Sequence, residues 1–461
     1  MSIFRRIHTL GGIFIAPLMF VAALSGFFYA LAPTIERGLY HQEMTADGGQ
    51  AQSLDKQVDA ARAVHPDLDI ARVQSSDNPK ATTRVLFADP DLPSKSYTHA
   101  VFVDPASLAI KGDLVQYGGS AALPFRTWLS QGHRSLWLGE PGRIYAEIAA
   151  SWLAPFAITG LFLWWTTRKR TRKNATRAQS ARMKNVGRHS TIGVWIALGM
   201  LFLGASGLSW SLVAGDNIAA VREQLQWQTP SISATAPEHT DHGAGDHTTP
   251  DPAAANAHAE HAASSAQVGH GDHHAAHASQ DIYQHINAVA RQAGLTGVLD
   301  IKSPAEPGAL WTVNETRQPF SFSTDAVAIN PDTMSVANTL KFSDWPIAAR
   351  LTTWAIQLHM GTLFGIYSQI ALAVLALGLM ASIVIGYIMW FQRVRKNAAR
   401  TLAPSFRWNQ TSLGVRIALI AALIGYSIIA PLFAASLVVV ILLGAVIQYA
   451  GKRTSPRTSE G

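Results

Sequence analysis

Apolar residues along this chain gather into six long runs, at residues 7–32, 145–165, 192–213, 364–391, 413–429 and 432–449. Each is close to the roughly 20 residues that a helix needs to cross a bilayer. Little more than Ala430 and Pro431 separates the last two, so they read as a tight helical hairpin. The first run follows Arg5 and Arg6 and ends at Ala30-Leu31-Ala32, features it shares with cleaved signal peptides. It is longer than the roughly 7–15 residues of a signal h-region, and is read as a span.

Two long polar segments follow the first and third runs. Each carries a helix-like run (54–64 and 282–293) and then strand-like runs ended by turn residues. Residues 98–103 lead into Asp104-Pro105-Ala106-Ser107, and residues 326–329 lead into Asn330-Pro331-Asp332-Thr333. Both segments predict small α+β domains.

Charge assigns the sides. Arg5 and Arg6, residues 168–188, 393–407 and 452–457 hold 19 of the 37 basic residues, and the only acid of the chain's basic flanks is Glu460. About +18 of charge sits there and about −11 on the rest, within the total of +7. This positive-inside pattern predicts cytoplasmic termini and cytoplasmic basic loops, with the two polar segments outside. The basic balance therefore reports topology, and nothing else in the chain points to nucleic acid.

The two halves repeat each other. His8 opens the first run and His189 the third, and Ser25-Gly26 and Ser206-Gly207 follow at the same offsets. Trp128 and Trp354 lie five residues before His133 and His359; Gly139 and Gly365, Gly160 and Gly386, and Trp164 and Trp390 follow at matched distances. So many coincidences signal duplication. Each half reads as helix, external domain, helix, and the terminal hairpin is an addition.

Duplication places one histidine at a comparable point in each of four spans. Topology sorts them into His8 with His189 near the inner face and His133 with His359 near the outer face. Two imidazoles per face are the ligand set of a six-coordinate b-type haem. A lone interfacial histidine reads as a hydrogen-bonded anchor; fourfold recurrence favours ligation. Arg6, Arg134 and Arg188 stand beside these histidines, as partners for haem propionates or as interfacial anchors. Ser25-Gly26 and Ser206-Gly207 suit close helix approach or room for a flat macrocycle. The chain has no cysteine, which excludes disulfides, iron–sulfur clusters and covalent c-type haem. Only 15% of its residues are charged, against about 25% in soluble domains.

With these motifs the chain resembles the PepSY-associated transmembrane family, whose members include bacterial inner-membrane ferric-siderophore reductases. The residues concerned are Arg6-Ile7-His8-Thr9-Leu10-Gly11, His133-Arg134-Ser135-Leu136-Trp137-Leu138-Gly139, Thr159-Gly160-Leu161-Phe162-Leu163-Trp164-Trp165, Arg188-His189-Ser190-Thr191-Ile192-Gly193 and Leu358-His359-Met360-Gly361. The similarity covers about residues 1–400. It implies an α-helical membrane protein in which duplicated two-helix units form a four-helix bundle binding two b haems, with a C-terminal hairpin and two PepSY-like external domains. In that scheme the spans are 1–32, 143–167, 189–215, 346–392 (with a preceding interfacial helix) and the pair within 412–450. The external parts are 33–142, the linker 216–280 and 281–345; the cytoplasmic parts are 168–188, 393–411 and 451–461. The implied activity is electron transfer from a quinol or cytoplasmic reductase, across the bacterial inner membrane, to a periplasmic ferric siderophore or other metal chelate, with release of Fe(II). No catalytic side chain beyond the haem ligands is identified. The second half departs from the first at Met360 (for Arg134) and at Ile385 (for Thr159), so roles of Arg134 or Thr159 lack a counterpart on the fourth span.

Residues 238–277 hold nine of the 17 histidines: His239, His242, His247, His258, His261, His270, His273, His274 and His277. This segment lacks the apolar content of a core, and its imidazoles and carboxylates suit loose collection of Cu(II), Zn, Ni or Co. It keeps a copper or other metal reductase on the same scaffold as an alternative. A haem-free PepSY binding or regulatory protein is another. No glycine-rich nucleotide fingerprint appears, so electrons must come from a separate donor.

Overall fold

A computed structural model describes residues 2–173, 181–234, 281–304, 306, 308–396 and 412–453. The helices begin with α1 (Ser2–Phe14), α2 (Ala16–Leu39), α3 (His41–Met44) and α4 (Leu54–Arg62). Strands β1 (Asp69–Ser76), β2 (Thr83–Ala88), β3 (Tyr97–Val103) and β4 (Ile110–Tyr117) follow, then α5 (Pro124–Ser135), α6 (Glu140–Ser151), α7 (Leu153–Lys173), α8 (Ala181–Leu208) and α9 (Val213–Gln224). The second half continues with α10 (Ile282–Gln292), β5 (Val298–Lys302), β6 (Trp311–Glu315), β7 (Ala326–Asn330) and β8 (Ser335–Leu340). It ends with α11 (Ile347–His359), α12 (Ile366–Lys396), α13 (Leu413–Ile429) and α14 (Pro431–Arg453). The chain divides into a helical unit (Met1–Leu31, Leu129–Gln224, Gln369–Gly461) and a sheet-bearing unit (Ala32–Trp128, Leu225–Ser368).

Four helical segments among the described residues are long and apolar enough to cross a membrane: Ala16–Leu39, Glu140–Arg168, Ala181–Leu208 and Ile366–Arg395. The first hairpin helix is shorter: the 17 residues of α13 rise only about 25 Å, less than a hydrocarbon layer of about 30 Å, whereas α14 has 23 residues.

Boundaries differ from the sequence pattern where proline intervenes. The run 7–32 is two helices that part at Ile15, two residues before Pro17, because proline has no N–H for the carbonyl four residues back. Pro155 acts similarly after α6, which parts from α7 at Trp152. Pro33, read as the end of the first span, lies inside α2, which continues to Leu39. The third run, expected to reach 213, stops at Leu208. There the buried Glu147 carboxylate accepts the Val213 and Ala214 amides at 2.7 and 3.1 Å and caps the separate helix α9.

Within the helical unit, Leu10, Met19, Trp152, Phe156, Met200 and Phe433 pack into one core. Helices without a hydrophobic drive between them associate through close packing, and the small residues fall where they are needed. A Cβ at Gly378 would lie 2.8 Å from Ile196, and one at Gly199 would lie 2.6 Å from Leu375. The hairpin joins this core through Trp152, whose Nε1 donates to Ser436 Oγ at 2.9 Å.

The two polar segments, predicted as two small domains, build a single eight-stranded antiparallel sheet in the order β4-β3-β2-β1-β5-β6-β7-β8. Each half is a helix followed by a four-stranded meander, and β1 pairs with β5 from Val73↔Ile301 to Ser76↔Val298. Alone, each half would leave that strand as an open edge. Val85, Phe87, Val101, Val103, Val313 and Val327 face α4 and α10 in one core. The alternate residues Leu86, Ala100 and Phe102 face the other side, as the two-residue period of strands requires. The two covering helices cap each other: the Asp55 carboxylate accepts from the Tyr283 and Gln284 amides at 3.0 and 2.9 Å, and Gln284 Oε1 accepts from the Leu54 amide at 2.9 Å.

The turns read from sequence are matched in geometry. Asp104 Oδ1 accepts the Ala106 and Ser107 amides, and Asn330 Oδ1 accepts the Asp332 and Thr333 amides. These are Asx turns, closed by Leu108 (φ 62°) and Met334 (φ 49°).

Candidate functional site

His8 lies on α1, His133 near the end of α5 and His189 on α8; all three belong to the helical unit and are half-buried. His359 is the last residue of α11, in the sheet-bearing unit. The structure brings His8 and His189 together, with ring centres 6.1 Å apart and ring planes at 82°.

The hydrogen bonds around the three histidines of the helical unit bear on their tautomers. Thr159 Oγ1 donates its single proton to the Pro155 carbonyl at 2.6 Å. In that arrangement it accepts from His8 Nδ1, 2.9 Å away. Ser25 Oγ donates to the Ala22 carbonyl at 3.0 Å and so accepts from His133 Nδ1 at 3.1 Å. The Ser382 carbonyl has no proton to give and accepts from His189 Nδ1 at 2.9 Å. A neutral imidazole carries one N–H. With the hydroxyl protons so placed, each ring would carry its proton on Nδ1 and its lone pair on Nε2, the state in which histidine ligates a metal while its other nitrogen is held by an acceptor.

Glycines lie beside the same rings. A Cβ at Gly26 would stand 3.0 Å from His133 Cε1, one at Gly160 3.4 Å from His8 Cε1, and one at Gly386 3.8 Å from His189 Cε1. Gly160 and Gly386 are matched positions of the repeat, and each lies under the histidine that opens its own half. Aromatic rings complete the settings. Phe156 stands edge-on to His8 at 5.4 Å, and Tyr29 stacks on His133 at 5.9 Å with an angle of 11°. His8 and His189 are the two residues of the set that could hold one metal centre together.

Arg6 and Arg134 are half-buried and Arg188 is exposed; Arg6 and Arg188 form no ion pair with any described residue. The nine linker histidines, His239 to His277, lie outside the described residues. Ser382 escaped sequence reasoning. It stands three residues before Ile385, the repeat counterpart of Thr159, and it serves through its backbone carbonyl, which every residue type carries.

No curated protein matches the chain. A family model for the PepSY-associated TM region matches residues 5–393, from the first basic residue to the end of the fourth long helix. With four helices of crossing length among the described residues and a separate antiparallel sheet, the chain is a multi-pass membrane protein and belongs to the PepSY-associated TM family.

Proposed function

We propose that this protein carries electrons across the bacterial inner membrane through two b-type haems and delivers them to a ferric chelate, such as a siderophore complex, on the outer side. The observation that carries the proposal is that Nδ1 of His8, His133 and His189 each meets an oxygen, Thr159 Oγ1, Ser25 Oγ and the Ser382 carbonyl, which would hold the rings with Nε2 free to ligate. The closeness of His8 and His189, whose ring centres stand 6.1 Å apart, supports it, since these two residues would then hold one iron together.

In this reading His8 and His189 hold the inner haem, and His133 and His359 the outer one. A bis-imidazole haem supplies reversible one-electron exchange between ferric and ferrous iron. The protein's own part is to hold and orient the rings. Thr159, Ser25 and the Ser382 carbonyl fix each Nδ1–H, the glycines leave space beside the rings, and Arg6, Arg134 and Arg188 neutralise propionates. No side chain gives or takes a proton in the transfer. Each electron from a quinol or a cytoplasmic reductase converts one tightly chelated Fe(III) to weakly held Fe(II). The basic flanks orient the chain with both termini in the cytoplasm and the sheet-bearing unit in the periplasm.

Absorption spectra of the purified wild type and of His8→Ala, His189→Ala, His133→Ala and His359→Ala test this. Wild type should show the Soret and α bands of low-spin b haem, and each variant should lose one of two haems, the same one for both members of a pair. Absence of these bands leaves a haem-free binding protein; haem content unchanged by all four substitutions overturns the ligand assignment. The linker's nine histidines favour Cu(II) as a second substrate, so the assay compares ferric chelates and Cu(II) side by side.

A further inference from the structure

Away from the spans, on the first half of the sheet, His65, His99 and Asp113 place one ligand atom each within 4.8 Å of one another. His99 lies on β3 and Asp113 on β4, where they form a diagonal pair on one face, since His99 pairs with Val115 and Asp113 with Val101. His65 reaches them from the turn that follows α4, its ring 4.8 Å from that of His99 and 5.3 Å from Phe87. None is sealed from solvent; the side chains are 19%, 23% and 32% exposed for His65, His99 and Asp113.

We infer that His65, His99 and Asp113 form a binding site for a divalent transition-metal ion of the Zn²⁺ or Cu²⁺ class, with Asp89 as the orienting partner. His99 Nε2 donates to Asp89 Oδ2 at 3.1 Å. With that proton placed, the Nδ1 lone pair of a neutral His99 faces Asp113 Oδ1 at 3.4 Å. Two acceptors face each other there, and only a proton or a cation makes the contact favourable. A charge-assisted N–H···O contact closes to about 2.7–2.9 Å. Two ligand atoms at tetrahedral angles, each about 2.0–2.1 Å from a metal, stand about 3.4 Å apart. The 3.4 Å between His99 Nδ1 and Asp113 Oδ1 matches that spacing, whereas His65 Nε2 and Asp113 Oδ2 stand at the 2.8 Å of a hydrogen bond and must open by about 0.6 Å to ligate together. The Asp89–His99 bond is the carboxylate–histidine contact that fixes ring and tautomer in such sites.

His65 Nε2 donates to Asp113 Oδ2 at 2.8 Å. To ligate, its ring carries the proton on Nδ1 instead, with no net change in protonation. Two imidazoles and a carboxylate suit Zn²⁺ or Cu²⁺ and leave a fourth position for water or an exchanging ligand. The site does not depend on the haem reading, because none of its residues belongs to the histidine set of the spans.

The test uses the full chain with the nine linker histidines replaced by alanine, so that the linker takes up no metal. Equilibrium dialysis against micromolar Zn²⁺ should retain a single equivalent per chain. His99→Ala and Asp113→Asn should abolish retention, and Asp89→Asn should weaken it about 10- to 100-fold, all with an unchanged haem spectrum. Zinc-edge X-ray absorption of the unsubstituted site should report two imidazoles in the first shell, whether or not each variant folds. A first shell of oxygen alone, retention that survives His99→Ala, or no retention before substitution would each overturn the site and leave an imidazolium ion pair in its place.

Discussion

The phenolic hydroxyl of Tyr387 on α12 donates to the carbonyl of Ile13 on α1 at 2.6 Å. That carbonyl is the one Pro17 leaves without its helical partner. Tyr426 does the same for Pro155: from the terminal hairpin its hydroxyl donates to the Ser151 carbonyl at 2.6 Å. Two proline breaks in the first half are thus served by tyrosines that arrive late in the chain. Tyr387→Phe and Tyr426→Phe should each destabilise the helical unit by about 1–3 kcal/mol, the cost of an unsatisfied buried carbonyl. Thermal unfolding in detergent measures this.

Thr159 and Ser382 both meet a histidine, through different atoms. Thr159→Val removes the acceptor for His8 and should weaken haem retention at the His8–His189 pair about 10- to 100-fold, as loss of a ligand-orienting contact does. Ser382→Ala keeps the carbonyl that serves His189 and should change retention little. Haem per chain after dialysis against a competing apo-globin gives both values. Equal losses would place the His189 acceptor on the Ser382 hydroxyl, 3.1 Å away.

The three glycines predict a contrast. Added methyl groups would meet the rings at 3.0, 3.4 and 3.8 Å for Gly26, Gly160 and Gly386. Only the first is tighter than ordinary van der Waals contact, so Gly26→Ala should cost haem at the His133 site while Gly160→Ala and Gly386→Ala should change retention little.

Glu36 is buried with Arg126, Oε1 to Nε 3.2 Å, and accepts the Leu123 amide at 2.9 Å. Burial pulls the nearby Arg84 guanidinium down to about 10 and Arg126 adds to that pull, while the Glu36 carboxylate supports its charge. Glu36→Gln leaves the buried Arg126 guanidinium and the half-buried Arg84 near it without this counter-charge. It should cost about 3–5 kcal/mol, read as earlier unfolding of the sheet-bearing unit.

At Asp104 burial alone would raise the carboxyl pKa, but the amides of Asp47, Ser107 and Ala106 outweigh it and hold the group below the ordinary carboxylate value. A depressed value stabilises the fold above the unfolded pKa near 3.8 and loses that contribution as pH falls through the folded one. Acid unfolding should show this loss below about pH 3.8 in wild type, and Asp104→Asn should remove it.

Four long apolar helices, the matched offsets of the repeat and the Asx turns were legible because each leaves a local signature: a run of apolar residues, a fixed offset, an Asp or Asn before proline. The tautomers were not. They depend on where Thr159 and Ser25 send their own protons, which is a matter of helix geometry. The union of the sheet was hidden because β1 and β5 each read as the first strand of a self-sufficient meander. The hairpin carried no motif; its contacts through Tyr426 and Ser436 use residues that are ordinary in apolar helices. His65, His99 and Asp113 are too widely spaced to suggest a site, and the β3–β4 register together with the end of α4 collects them.

The β1–β5 seam also sets a schedule for synthesis. Ser76 ends β1 and Val298 begins β5, so about 220 residues must be made before the edge is covered. At about 5–20 residues per second β1 waits roughly 11–44 s with its amides and carbonyls open. During that interval the nascent first half is a template for any other extended chain, including the same strand of a neighbouring copy, and the second half of the repeat ends this exposure.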